Sequence, residues 1–297
     1  MSASRAQELS SLIDELAAAG YIAEPALAAA LLLMRDLERP LLLEGDAGVG
    51  KTEVAKVLAT VRATRLIRLQ CYEGLDAHAA MYEWNYQRQL LAIKLLESDE
   101  RDIAQKEQDI FSQRYLLKRP LLEAITCEQP PVLLIDEIDR ADEAFEAYLL
   151  ELLSDYQLSI PELGTVHASS RPLVVITSNG TRELSDALRR RCLYQYIDYP
   201  DYDKELAIVR KKAPGATHAL ACQIVAFVQG ARRMDLQKKP GIAETLDWTA
   251  ALLRLGITAI DAGGAQGLMD TLSALIKTRD DRVAFPREVV ARLAAAC

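Results

Sequence analysis

An α/β fold, with a parallel five-stranded sheet between helices and a small all-helical domain after it, is what this 297-residue chain predicts. Three observations predict it. Residues Gly45–Thr52 read Gly-Asp-Ala-Gly-Val-Gly-Lys-Thr, which fills every fixed position of a phosphate-binding loop, with an apolar run before it and a helix-forming segment after it. Val132–Ile135 is a continuous apolar run ending in carboxylates, the pattern of a parallel strand buried on both faces. Beyond Asp201 the apolar periodicity is helical throughout, so an alternating strand–helix block gives way to helices alone.

In chain order, Ser11–Gly20 and Glu24–Leu37 read as two helices ahead of the first strand, Leu41–Leu43. Ala63–Cys71 holds the second strand. About 60 residues then pass before the third, Val132–Ile135, a gap too long for one helix, so something is inserted, at about 78–118. Within it Met81, Trp84, Leu91 and Leu95 recur at helical spacing over Ala79–Leu96, and Ser98–Asp109 is strongly charged. The insertion reads either as an exposed helical hairpin or as a surface facing a partner or a pore. A helix over Ala141–Tyr156 follows the third strand, Ser159–His167 reads as a hairpin around Pro161 and Gly164, Leu173–Thr177 is the fourth strand and Cys192–Ile197 the fifth. Residues 198–201 mark a boundary, giving domains at 1–198 and 199–297. The second carries helices near 202–213, 216–230, 243–255, 264–277 and 286–296, broken at Pro214-Gly215, Pro240-Gly241 and Gly263-Gly264.

Composition narrows the function. Net charge is −8 and the pI near 5.1, a poor match to a general nucleic-acid binder. The five cysteines are scattered with no Cys-x-x-Cys pair, which suggests neither a disulfide frame nor a zinc site; the three histidines are far apart. The N-terminus lacks the apolar stretch of a signal peptide, and Ala28–Met34 is flanked by charges too closely for a membrane span. A cytoplasmic, soluble protein is the expectation.

The candidate site residues follow from the chemistry. Backbone N–H groups of Gly45, Asp46, Ala47, Gly48, Val49 and Gly50 would surround phosphate oxygens, with the helix dipole behind them. Lys51 would reach the β and γ phosphates, and the Thr52 hydroxyl would ligate Mg2+. Asp136 would hold the same metal, and Glu137 would polarise the water that attacks the γ-phosphate of ATP. Asp139 and Asp142, just downstream, read either as further carboxylates of the same site or as helix-capping and surface charge, the latter the favoured reading. Asn179 ends an apolar strand with an amide able to orient that water. Arg189, Arg190 and Arg191 stand together before the fifth strand, and a guanidinium from a neighbouring subunit would stabilise charge on a transferring phosphoryl group. No Asn-Lys-x-Asp string, the guanine reader of GTP-binding switches, occurs.

With these motifs in place the chain resembles the AAA+ ATPases over nearly all its length, and within them the MoxR group, nearest the CoxD-type accessory ATPases of molybdenum–copper carbon monoxide dehydrogenase maturation. The narrower resemblance is carried by Leu69-Gln-Cys-Tyr-Glu-Gly-Leu-Asp76, Tyr82-Glu-Trp84, Ile135-Asp-Glu-Ile-Asp-Arg-Ala-Asp142, the stretch Thr177–Cys192, and Lys239-Pro-Gly-Ile-Ala-Glu-Thr-Leu-Asp-Trp248. The resemblance implies strand order 5-1-4-3-2, a helical lid, and a ring, usually a hexamer, with ATP at subunit boundaries. It gives Asn179 the sensor-1 role, Arg191 that of the arginine finger with Arg190 in reserve, and implies a partner with a von Willebrand factor A domain and a metalloenzyme client. In one respect the chain departs from the pattern: Gly241-Ile-Ala-Glu-Thr245, where many lids carry a sensor-2 arginine, has none. A nucleic-acid motor of restriction or translocase type is the alternative function.

Overall fold

A computed structural model describes residues 3–96, 102–260 and 265–296. Its strands are β1 (Leu41–Glu44), β2 (Leu66–Gln70), β3 (Tyr82–Trp84), β4 (Leu116–Lys118), β5 (Val132–Asp136), β6 (Gln157–Ile160), β7 (Gly164–His167), β8 (Leu173–Ser178) and β9 (Leu193–Tyr196). Its helices are α1 (Ala3–Ala18), α2 (Pro25–Asp36), α3 (Lys51–Val61), α4 (Ala77–Met81), α5 (Tyr86–Leu96), α6 (Ile103–Ile110), α7 (Pro120–Ile125), α8 (Glu143–Asp155), α9 (Asp186–Arg191), α10 (Tyr202–Lys212), α11 (His218–Arg232), α12 (Ile242–Arg254), α13 (Ala265–Leu275), α14 (Arg279–Val283) and α15 (Arg287–Ala295). The residues cluster into two compact units, one of 26–44 and 58–195, the other of 1–25, 45–57 and 196–297.

The first unit is built on a five-stranded sheet of order β2-β5-β8-β1-β9, the 5-1-4-3-2 order that the resemblance implied. The β1–β8, β5–β8 and β2–β5 pairs are parallel, with Leu41 opposite Val175, Leu133 opposite Val174 and Gln70 opposite Asp136. Parallel strands covered on both faces have no polar side, which is why β5 reads Val-Leu-Leu-Ile and buries all four completely. Each such side chain contributes about 1.5–3 kcal/mol of burial. Leu133, Ile135, Val174 and Ile176 join a core with Leu121 and Ile125 of α7 and Leu149 and Leu152 of α8. Cys71 and Cys192 sit in it as apolar groups; burial, then the Asp136 charge, pushes the Cys71 thiol up to about 12.

The insertion departs from the expected helical hairpin. Its 79–96 stretch is broken by β3, which pairs antiparallel with β4, Trp84 opposite Leu116. Trp84 is buried on that ribbon against Phe111, ring centroids 5.5 Å apart. Two aromatic residues on a three-residue strand satisfy a β preference that helical spacing concealed. The charged half forms α6, while 97–101 lie outside the described residues. The hairpin expected at 159–167 is the antiparallel pair β6 and β7.

In the second unit, α11 shows why its sequence is a helix. Leu220, Ile224, Phe227, Val228 and Ala231 fall on one face and are all buried, and Thr217 caps the start by accepting from the Leu220 N–H at 3.2 Å. Trp248 of α12 packs on Phe227 at 4.8 Å and donates through Nε1 to Thr271 Oγ1 at 2.8 Å. Arg232 forms a buried two-pronged pair with Glu205, both N···O distances 2.6 Å, and donates through Nε to the Pro240 carbonyl at 2.7 Å. Between the helices expected at 264–277 and 286–296 stands the short α14, capped by Thr278; the break expected at Gly263-Gly264 lies outside the described residues. Among the described residues no helix is long and apolar enough to cross a membrane.

Candidate functional site

The string Gly45–Thr52 forms the loop and helix start that its sequence predicts. It leaves the carboxyl end of β1 and closes into the N-terminus of α3, with Lys51 and Thr52 in the first turn. Gly45 is required by a close approach: a Cβ there would lie 2.1 Å from the Ile197 carbonyl oxygen. Lys51 is buried, and its ammonium donates to the carbonyls of Gly45 and Asp46, both at 2.7 Å. The loop thus wraps around one fixed positive charge, the arrangement that suits a polyphosphate. Beside it, a cleft of about 400 Å³ has three lysines in its lining, Lys238, Lys239 and Lys277, against two carboxylates, Asp46 and Glu244, with Tyr199 among them. Burial, followed by the Asp46 charge and hydrogen bond, pushes the Tyr199 phenol up to about 12. The Arg232 guanidinium lies 5.1 Å from the centre of the Tyr199 ring.

The acidic residues belong to the sheet-bearing unit. Parallel strands place their carboxyl ends on one edge; there Asp136 ends β5, and Asn179 directly follows the adjacent strand β8. Asp136 is buried. Its Oδ1 accepts from Thr177 Oγ1 at 2.6 Å, and its Oδ2 accepts from Arg68 of β2 at 2.6 Å. The Glu137 N–H donates to the same Thr177 hydroxyl at 2.9 Å. Glu137 adopts a left-handed conformation, φ 57° and ψ 51°, uncommon for a residue with a side chain, and its carboxylate takes a bond from Arg140 Nε at 2.7 Å. A hard divalent cation prefers such oxygen donors, so Thr52 and Asp136 have the chemistry for Mg2+, each on its own element.

Asp142 is the helix cap that its position predicts, accepting from the Phe145 N–H at 2.8 Å. Asp139 is not a cap. Buried, it accepts from the Asn179 N–H at 3.2 Å, the Thr181 N–H at 3.0 Å and the Thr181 hydroxyl at 2.6 Å, and so fixes the turn that carries Asn179. Burial by itself would raise its pKa; the Thr181 and Asn179 donors outweigh burial and hold the carboxyl below its usual value. Sequence reasoning missed this role, and equally those of Thr177, Arg68 and the buried Glu146, which binds Arg182 at 2.5 Å and the Ser185 N–H at 2.9 Å. No local pattern announces them, because each partner is distant in sequence.

Arg190 and Arg191 end α9, and both are exposed. Arg191 Nε donates to Ser154 Oγ at 2.5 Å, and its NH1 to the Ala187 carbonyl at 3.1 Å. Arg39 caps this helix end by donating to the carbonyls of Arg190, Arg191 and Cys192. Among the described residues no group of three or more His, Cys, Asp or Glu could hold a metal ion by itself.

The fold is that of the AAA+ ATPase core, a parallel sheet flanked by helices with a further helical region. Residues 40–192 match the AAA domain (dynein-related subfamily), and the chain belongs to that family. It is 27% identical over 209 residues to the uncharacterized protein SH1500 of Staphylococcus haemolyticus, covering 68% of this chain and 72% of that one. It is 27% identical over 227 residues to the uncharacterized protein SAB1265c of Staphylococcus aureus, covering 74% and 78%. Among solved structures it is similar to the Thermotoga maritima RuvB Holliday junction branch migration motor, at 20% identity and a TM-score of 0.44, covering 86% of this chain and 69% of the other. A mutant structure of the same motor gives a TM-score of 0.46 at the same coverage.

Proposed function

We propose that the chain hydrolyses ATP with Mg2+ and couples the hydrolysis to remodelling of a client. In this reading the loop Gly45–Thr52 binds the phosphates and Lys51 neutralises their charge. Thr52 and Asp136 hold the Mg2+ ion, which when bound would offset charge on the transferring phosphoryl group. Glu137 takes a proton from the attacking water, and Asn179 orients that water. The observation that carries the reading is Glu137 itself, a half-exposed carboxylate turned by a left-handed residue at the carboxyl end of β5, directly after buried Asp136. Replacement by glutamine tests it: Glu137→Gln should bind ATP as the wild type does and hydrolyse it about 10²–10⁴-fold more slowly. Hydrolysis at the wild-type rate would show that another group activates the water.

The finer parts of the proposal rest on the resemblance to the MoxR group and its CoxD-type branch. They are a folding division at 198/199 with the second part acting as a lid, and a ring in which Arg191, or Arg190, reaches a neighbour's nucleotide. They also include a partner with a von Willebrand factor A domain and a molybdenum–copper carbon monoxide dehydrogenase-like client. A second reading, a nucleic-acid-acting motor, is the activity named for the solved Thermotoga maritima protein. On this chain the observation that speaks for it is a cleft of about 640 Å³ whose lining includes Arg39, Arg171, Arg190 and Arg191. The net charge of −8 speaks against it. DNA binding titrated against salt separates the two clients: a motor loses affinity steeply as salt rises, and a protein remodeller shows no DNA binding at low salt.

A further inference from the structure

We infer that Gly241 and the Ile242 N–H form a backbone latch that sets the phosphate loop for nucleotide, an inference that rests on the ATP reading above. The Ile242 N–H donates to the carbonyl of Gly48, in the middle of the loop, at 2.9 Å. The Gly48–Val49 peptide is trans and planar, so its N–H points opposite to its C=O. Holding the Gly48 oxygen toward α12 therefore aims the Val49 N–H away from α12, as one of the donors the loop offers to phosphate. Without this bond the peptide would be free to rotate and the donor to turn away.

The contact demands glycine on both sides. A Cβ at Gly241 would fall 2.7 Å from the Gly48 oxygen and 2.8 Å from its carbonyl carbon and Cα. A Cβ at Gly48, which has φ +82°, would meet the Gly241 Cα at 3.2 Å and Glu244 Oε2 at 3.1 Å. Glu244 holds the other side of the latch, its Oε2 accepting from the Gly241 N–H at 2.9 Å. Upstream, the Pro240 carbonyl is fixed by Arg232, itself locked to Glu205. A side chain at 241 has no room, and a main-chain hydrogen bond links α12 to the phosphate loop there. Gly241 and Ile242 are positioning residues: they act through the Gly48–Val49 peptide.

Proline at 242 tests this in the full chain. Ile242 is the first residue of α12, where proline is tolerated because that N–H has no partner within the helix. Gly241, at φ −85° and ψ −172°, already has the extended conformation that a residue before proline adopts. Ile242→Pro removes the donor and sets a ring carbon against the Gly48 oxygen. Ile242→Ala keeps the donor and removes only the side chain. Titrated with a non-hydrolysable ATP analogue and Mg2+, Ile242→Pro should bind about five- to tenfold more weakly, the net worth of one hydrogen bond, with its melting temperature little changed. Ile242→Ala should stay within about twofold of wild type by the same measure. Equal binding by Ile242→Pro and wild type overturns the latch, as does an equal loss in Ile242→Ala. Should Ile242→Pro fail to fold, Gly241→Ala supplies the same readout, with the same weakening expected and unchanged binding overturning the latch. A wild-type chain that takes up no nucleotide overturns the ATP reading, and the latch with it.

Discussion

Replacing Asp139 with asparagine separates a carboxylate that positions from one that decorates the surface. The wild-type group is 4% exposed and takes three donors, one on Oδ1 from Asn179 and two on Oδ2 from Thr181. Asparagine can keep its oxygen toward Thr181, but its NH2 then faces the Asn179 N–H and leaves it without an acceptor. An unsatisfied buried N–H costs about 1–3 kcal/mol, and loss of the charge weakens the two Thr181 bonds by about 1 kcal/mol more. The expected loss is therefore about 2–4 kcal/mol, or about 4–8 °C in melting temperature for a chain of this size. The sign with pH is fixed by the direction of the pKa. The folded value lies below the ordinary one, so the carboxylate's contribution is fully present above about pH 4 and is lost as pH falls through the folded value. Urea melts of wild type and variant should differ by a constant amount from about pH 8 to pH 5 and converge in more acid solution. Because the Asn179 turn is loosened, kcat for ATP should fall about tenfold with nucleotide affinity unchanged. A variant that melts within about 1 °C of wild type and turns over ATP at the same rate would refute the positioning role.

Other tests address different parts of the molecule. Arg232→Ala strands the Glu205 carboxylate, which is wholly buried, and should cost about 3–5 kcal/mol in urea melts. Replacing both partners together, Glu205→Leu with Arg232→Met, should restore part of that loss; failure to restore any would place the effect in the pair's other bonds, from Arg232 to the Pro240 carbonyl and from Gln229 and Thr245 to Glu205. Arg191→Ala and Lys51→Ala subunits, each inactive by itself, should regain some ATPase activity when mixed, because each supplies what the other lacks. A verified mixed assembly without recovery counts against a finger acting in trans, and the same mixture made with Arg190→Ala shows which arginine serves.

Much of the site could be read directly. Gly45–Thr52 and Val132–Glu137 are contiguous strings whose signal lies in neighbouring residues, so spacing alone shows a glycine-rich loop before a helix and a carboxylate-tipped strand. The five sheet strands were legible for the same reason, each a short apolar run bounded by turn residues. The β3–β4 ribbon was not, because three-residue strands are too short to show a period and their pairing joins residues more than thirty apart. Asp139 reads as a cap in the sequence because its ligands, Asn179 and Thr181, arrive only when β8 lies beside β5.

What the sequence by itself determined is the fold class: local runs encode the sheet strands, the glycine-rich loop before α3 and the carboxylates at the end of β5, since their signals are periodicity and adjacency. Tertiary structure decided which carboxylate braces the Asn179 turn, where Arg39 and Arg68 send their charge, and why residue 241 must be glycine. Those outcomes depend on groups brought within about 3 Å of each other from distant parts of the chain, a distance at which a hydrogen bond forms and an added carbon collides.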